Sequence, residues 1–336
     1  MKTTEINKSS YKWINRVITG SCFLLIAWLI LFSSCKHDSN PSKKAHTSFN
    51  KDSSVEIKLR PVQLDETKEY LFNTINETRI VQEVNDEEMV VENAIEVSTL
   101  YRISKDSSGN YIFNISFKDF KVKVKAGDIE KDLKATTAAG SFDPQERIFA
   151  AFNNAVVVVK VDTSGKVLAV DSLDRIQAKM YELAKGNADA TQMIKTSLQQ
   201  YLTADNFKNI FENTYKILPQ GKIKPGYQWK VNNTAVADMK IDVPLQYILE
   251  GIEDNNAVVS VAGRLDFENK QIQVQANTID YSLKGEQSGE IKIDLSTGLV
   301  SSSESEFNAK GKMNVMGKEI PVKMMVKNSV RSQVVK

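Results

Sequence analysis

From Val55 almost to the end of the chain, apolar side chains return at every second position in one segment after another. This period-2 alternation is what most restricts the fold, because only a strand buried on one face is written this way. Val55-Glu-Ile-Lys-Leu59 opens the pattern and Pro61 stops it. Strands are expected at Tyr70–Ile75, Thr78–Asn85, Met89–Ile103 and Tyr111–Val124, then a hairpin, Val156–Asp162 with Lys166–Val170. A second β region follows Pro225-Gly226, with strands at Gln228–Asn232, Ala235–Val243, Leu245–Ile252, Ala257–Phe267 and Ile272–Ala276. It continues through Thr278–Lys284, Glu290–Leu295, Leu299–Ala309, Lys310–Val315 and Glu319–Val326. Short connections carrying Gly, Asn or Asp imply antiparallel neighbours.

One strand carries a further instruction. Tyr111, Phe113, Ile115 and Phe117 are odd-numbered, whereas Phe120, Val122 and Val124 are even. A slip of one residue between Lys118 and Asp119 is a β-bulge written in sequence, and bulges bend sheets.

Between the β regions the period changes to that of a helix. Asp143-Pro144 reads as an N-cap and first helical residue ahead of Ile148, Phe149 and Phe152. Leu173, Ile176, Met180 and Leu183 share one helical face, Met193, Ile194, Leu198, Tyr201 and Leu202 a second, and Phe207, Ile210, Phe211, Thr214 and Tyr215 a third. The fold class is therefore α+β, mainly antiparallel β, as curved meander sheets or a half-barrel with a central helical insert at about 172–217. The turns Val161–Val167 and Ile293–Val300 are similar, one in each half, which leaves an internal duplication open.

The start of the chain is of another kind. Met1 to Gly20 carries Lys2, Lys8, Lys12 and Arg16 against Glu5, and Cys22 to Phe32 is an apolar run of about eleven residues. That is too short for the roughly 20 residues of a membrane-spanning helix but fits the apolar core of an export signal. Ser33 and Ser34 lead directly into Cys35. This arrangement resembles the lipobox of bacterial lipoproteins, although Phe32 stands where that family has Leu, Val or Ile. The resemblance implies a signal over 1–34 and lipidation at Cys35. An uncleaved anchor or an unlipidated secreted protein are the other readings. Cys22 leaves with such a signal, so one cysteine remains and no internal disulfide is possible. Residues 35–54 are nearly devoid of apolar side chains and read as a flexible tether ahead of a β-rich domain over 55–336. Removing four basic residues and one acid from 44 and 42 leaves 40 against 41, a near-neutral chain with no electrostatic footprint for nucleic acid.

Chemistry is limited by what the β-rich part lacks. The two histidines, His37 and His46, lie in the tether, and no cysteine follows Cys35. A Ser-His-Asp triad, a Cys-His pair and a His-ligated zinc are thereby excluded from the folded part. No phosphate-cradling glycine loop or nucleophile elbow is present. Carboxylates remain: Asp86, Glu87 and Glu88 cluster, and Glu304 and Glu306 share a strand face, but acids are common on outer faces and loops. Asp162-Thr-Ser-Gly165 lacks the alternating acids of a calcium loop. The expectation is a protein that is not an enzyme, with no catalytic residues, cofactor or metal.

Leu218-Pro-x-Gly-x-Ile-x-Pro-Gly-x-x-Trp229, with Ile293-Asp-x-x-Thr-Gly298 and the Ser303–Met313 segment, resembles a family of exported lipoproteins of Gram-negative bacteria that carry a domain of unknown function. The resemblance implies an envelope location and a curved antiparallel sheet, and supplies no catalytic residues. A second likeness is to half-barrel lipoprotein carriers and acceptors, from which this order of strands, helices and strands departs. Two readings follow, and a carboxylate-type hydrolase is a distant third. The first is a lipid-anchored protein of the cell envelope, at the outer membrane, that binds an envelope protein or surface component without catalysis. The second is a carrier of a lipid or other apolar ligand, held in a cavity between sheet and helices lined by Met193, Leu198, Phe207, Phe211 and Trp229.

Overall fold

The computed structural model describes residues 54–84, 87–134, 150–188, 191, 194–195, 202–235, 241–274, 277–315 and 317–335. The expected signal and tether, the Asp143-Pro144 helix start, and Met193 and Leu198 lie outside these residues.

The first half of the chain forms β1 (Val55–Glu56), β2 (Thr67–Val84), β3 (Glu87–Lys105), β4 (Tyr111–Ala126), β5 (Ile129–Lys134), β6 (Val156–Val161) and β7 (Val167–Asp171). Helices α1 (Leu173–Ala184) and α2 (Ala204–Lys216) follow. The second half is β8 (Lys222–Ile223), β9 (Gln228–Ala235), β10 (Ile241–Glu253), β11 (Asn256–Val274), β12 (Asn277–Asp294), β13 (Val300–Val315) and β14 (Lys318–Val334). The protein is α+β and mainly antiparallel, with a central helical insert, as the alternation and the change of period predict.

A single sheet of twelve strands runs β7-β6-β4-β3-β2-β14-β13-β12-β11-β10-β9, with β5 pairing the second half of β4 on the edge whose first half pairs with β6. β1 and β8 pair separately. The last strand, β14, returns to pair with β2, so the two halves meet at the middle of the sheet. Ser98 opposes Asp119 while Thr99 opposes Phe117, which leaves Lys118 as the extra residue of a bulge at the position where the apolar parity changes.

Strand lengths depart from expectation. Thr278–Lys284 and Glu290–Leu295 are one 18-residue strand, and Leu299–Ala309 with Lys310–Val315 one of 16. Pro244 and Gly285 read as punctuation but lie inside strands, and Gly311, expected within a strand, lies inside β13. The glycines are there because neighbouring backbone comes close. A Cβ at Gly285 would lie 2.6 Å from the Asn308 carbonyl oxygen and 2.7 Å from the Phe307 ring, and one at Gly311 would overlap the Ser282 carbonyl.

The sheet is open, since β7 and β9 do not pair, yet both are tied to α2. The Val167 amide of β7 donates to Glu212 Oε1 at 3.1 Å, and the Trp229 indole of β9 donates to the Ile217 carbonyl, just past the helix, at 2.9 Å. In a flat sheet the ten inter-strand gaps would hold these edges about 48 Å apart. Through α2 they are within roughly 30 Å of each other, given side-chain reach and the 1.5 Å helical rise. The sheet therefore bends until one helix serves both edges. Thr203 caps α2 by accepting from the Asn206 amide, with Asp205 in the first turn and Lys216 in the last, both matched to the helix dipole.

Residues 55–62 cross the same end of the sheet. Ile57 is buried with the β9–β14 core, Leu59 and Val62 with the β2–β7 core, and Leu218 packs against both. Tyr70 and Tyr111 donate their hydroxyls to the Pro61 and Leu59 carbonyls, at 2.7 and 3.2 Å. Arg60 donates to the Leu295 and Ser296 carbonyls of the β12–β13 turn. That turn, like the β3–β4 and β6–β7 turns, is held by an aspartate: Asp294, Asp106 and Asp162 each accept from the amide two residues on. Gly298, at φ +72°, passes so close to Lys58 that a Cβ would overlap its carbonyl.

Gly298→Ala is expected to destabilise the protein by more than about 2 kcal/mol, combining positive-φ strain with the overlap. Gly127→Ala, at φ +58° but in open space, should cost only about 1 kcal/mol. Chemical denaturation of the two variants measures the difference; equal costs would show that residues 55–62 do not press on this turn.

Candidate functional site

The apolar cavity is expected between the sheet and the helices from Met193 to Tyr215, of which α2 carries the third face. There the structure places rings against rings. Phe211 lies 5.0 Å from Phe113 and 5.3 Å from Tyr215, centroid to centroid, and Tyr101 lies 4.5 Å from Phe72. Phe207 and Phe211 belong to the β2–β7 core, whereas Trp229 packs on the β9–β14 core, stacked 5.6 Å from Tyr247. The structure thus separates Trp229 from the two phenylalanines. Clefts of about 280, 350 and 650 Å³ lie along the sheet, and none is lined by Phe207, Phe211 or Trp229.

Burial raises the phenols near this end. Tyr101 is pushed up to about 12 by desolvation, and Tyr70 also to about 12 by desolvation with the Asp294 and Glu66 charges adding to it. Tyr281, on β12, reaches about 12 for the same desolvation reason.

The candidate acids are elsewhere. Glu304 and Glu306 do share a face of β13, but it is the solvent-facing one, where Glu304 opposes Glu290 and Glu306 opposes Lys327. Glu87 and Glu88 are exposed at the start of β3, and Asp86 lies outside the described residues. The Asp162 carboxylate is occupied by its own turn, accepting from the amides of Ser164 at 2.8 Å and Lys166 at 3.1 Å. Among the described residues no three His, Cys, Asp or Glu come together as a metal site.

The inward face of the sheet has a feature of its own. Strand register sets the side chains in rows across the sheet, and in the four rows from Phe120 to Ala126 of β4 no inward residue on β4, β3, β2, β14, β13, β12 or β11 is charged. The outward face of these strands carries ion pairs such as Arg79–Glu92, Lys121–Glu96 and Lys284–Asp266. Midway along the inward face the apolar pattern is broken by amides and hydroxyls. Asn328 of β14 sits between Asn76 of β2 and Ser305 of β13, and Asn93 of β3 sits beside Thr78 of β2. Asn76, Asn93, Gln287 and Ser303 are each at most 4% exposed, and Gln82 9%.

Thr78 donates to Asn76 Oδ1 at 3.2 Å. Asn76 Nδ2, both amide atoms of Asn93, Gln82 Oε1, Gln287 Oε1 and Ser303 Oγ have no hydrogen-bond partner among the described residues. A buried polar atom left in this state costs about 1–3 kcal/mol. The sequence held the signal for this belt: Asn76 has the parity of Tyr70 and Phe72, and Asn93 that of Val91 and Ile95. It goes unread when polar residues in an alternating strand are taken as outward.

These features define a class by architecture, an open antiparallel sheet bent around a helical insert with a neutral polar belt on its inward face. Within that class, the chain belongs to a family of unknown function (DUF6263), whose model matches residues 108–300. No curated protein matches it. Among solved structures it is similar to the one described as lipid–protein interactions in lipovitellin, at 10% identity and a TM-score of 0.42, over 81% of this chain and 25% of that one. The chain thus spans about a quarter of that protein. A crystal structure of Pseudomonas aeruginosa OpdQ is similar at 6% identity and a TM-score of 0.17, over 81% of this chain and all of that one.

The raised phenols give a pH prediction. Unfolded tyrosines release their protons near pH 10, whereas Tyr70, Tyr101 and Tyr281 hold theirs to about 12 in the fold. The protonated forms therefore contribute stability in full below pH 10, and that contribution is lost as pH rises from 10 to 12. Absorbance at 295 nm should show late phenol ionisation coinciding with loss of the β circular-dichroism signal. Full ionisation near pH 10 without unfolding would contradict the burial.

Proposed function

We propose that the protein is lipid-anchored in the cell envelope, at the outer membrane, through Cys35, and that it binds without catalysis. The observation that carries the binding role is the inward face of the sheet, uncharged over four rows and bearing buried polar atoms that nothing in the described chain pairs. A surface of this kind is suited to holding an uncharged molecule rather than to general acid–base work, which needs titratable groups within reach of a substrate. The anchor rests on the sequence from Cys22 to Cys35. Diacylation plus an N-acyl chain exceeds the two-signal threshold for stable attachment at about 0.8 kcal/mol per buried methylene.

A second reading, a carrier for a lipid or other apolar ligand, draws on the same face. It moves the expected site away from α2, where rings fill the space beside Phe211, to the middle of the sheet.

Cys35→Ser is expected to abolish membrane association once signal cleavage is confirmed, and to abolish fatty-acid labelling. Processed mutant protein that stays with the membrane would contradict acylation. A pull-down from detergent-solubilised envelope with the acylated protein tests for a protein partner. Recovery of one protein in stoichiometric amount would favour the first reading over the carrier.

A further inference from the structure

We infer that the belt formed by Asn76, Asn93, Gln287 and Ser303, with Gln82 on the row nearer the β2–β3 turn, is the ligand-recognition site of the protein. Its ligand is an uncharged amphipathic molecule that carries both carbonyl and hydroxyl groups, the chemistry of a neutral acylglycerol. This inference rests on the carrier reading and deepens it.

Three observations converge. The first is position: the residues occupy inward positions on β2, β3, β12 and β13, so register brings onto one face groups that lie up to 227 positions apart in the chain. The second is their state. All five are at least nine-tenths buried, and each has an atom without a partner among the described residues. Buried polar groups of folded proteins are paired almost without exception, so several unpaired ones on a single face point to hydrogen bonding by a molecule from outside the chain. The third is electrical. With no inward charge in the four rows around the belt, a carboxylate or phosphate entering it would lose its hydration without gaining a counter-charge.

The donors and acceptors specify the ligand further. Asn76 Nδ2 and Asn93 Nδ2 donate and suit carbonyl oxygens, Gln82 Oε1 and Gln287 Oε1 accept and suit hydroxyls, and Ser303 Oγ does either. Apolar residues stand among and beside these groups: Val97 and Val330 share the row of Ser303 toward the α2 end, and Val91, Ala309 and Leu265 form the row between Asn93 and Gln82. Hydrocarbon fits the apolar residues, and the linkage region fits the amides and hydroxyl beside them.

The test uses the full chain as produced, a fluorophore-labelled diacylglycerol and the fatty acid of the same chain length at pH 8. Wild type is expected to bind the diacylglycerol at least tenfold more tightly than the ionised fatty acid. Asn93→Leu with Gln287→Leu should weaken diacylglycerol binding at least tenfold while leaving the Tm of the ligand-free protein unchanged or raised, because unpaired polar atoms are removed. Retained affinity in the double variant would overturn the belt as the site while leaving the carrier reading intact. Absence of diacylglycerol binding by the wild type would overturn the inference, and would overturn the carrier reading with it only if no lipid co-purifies with the protein. A lowered Tm of the ligand-free variant would show that ordered water already pairs these atoms, and would also overturn the inference. Ser303→Ala, a smaller change, repeats the comparison if the double variant does not fold.

Discussion

The structure depends on α2 serving as the joint between the two edges of one sheet. Glu212 takes the first amide of β7 and the carbonyl of Ile217 takes the indole of β9, so a helix of 13 residues closes a span that eleven strands open. Edge strands are a liability when their hydrogen-bonding groups are bare. Here β7 is covered by a carboxylate, and β9 is tied through a side chain. The aromatic packing of Phe113, Phe211 and Tyr215 follows from the same arrangement, since a helix held between two edges presents apolar residues to both halves. Ile210 and Asn213 are buried on α2 along with them.

Bending gives the faces of the sheet different tasks. The outward face is conventional, with exposed cross-strand ion pairs worth little individually. The inward face carries the two cores and, between them, the neutral polar belt. The glycines at 285 and 311 belong to this design, because they let neighbouring strands approach at inward positions where a side chain would collide. Residues 55–62 complete one end by crossing from one core to the other.

Much of this was legible in the chain. Alternation gave the strands and the parity change at Phe117–Phe120 located the bulge, because both are read from neighbours two residues apart. Strand length was not legible: Gly285 looks like a turn until the Asn308 carbonyl is seen beside it. The candidate site was the least legible. Phe207, Phe211 and Trp229 were expected to share a cavity, yet Trp229 belongs to the other half of the sheet. Asn93 and Gln287 fall on one face only through the pairing of β14 with β2, a contact between the two ends of the domain that no local pattern encodes.

The central claim, that the sheet bends until α2 joins both edges, is tested most directly by the distance between the edges. Spin labels at the exposed positions Leu168 of β7 and Lys230 of β9, in a Cys22→Ser, Cys35→Ser background, report it by double electron–electron resonance. The bent sheet predicts a narrow distribution centred at roughly 30 Å or below. A distribution centred at about 48 Å or beyond, the span of a flat sheet, would contradict it.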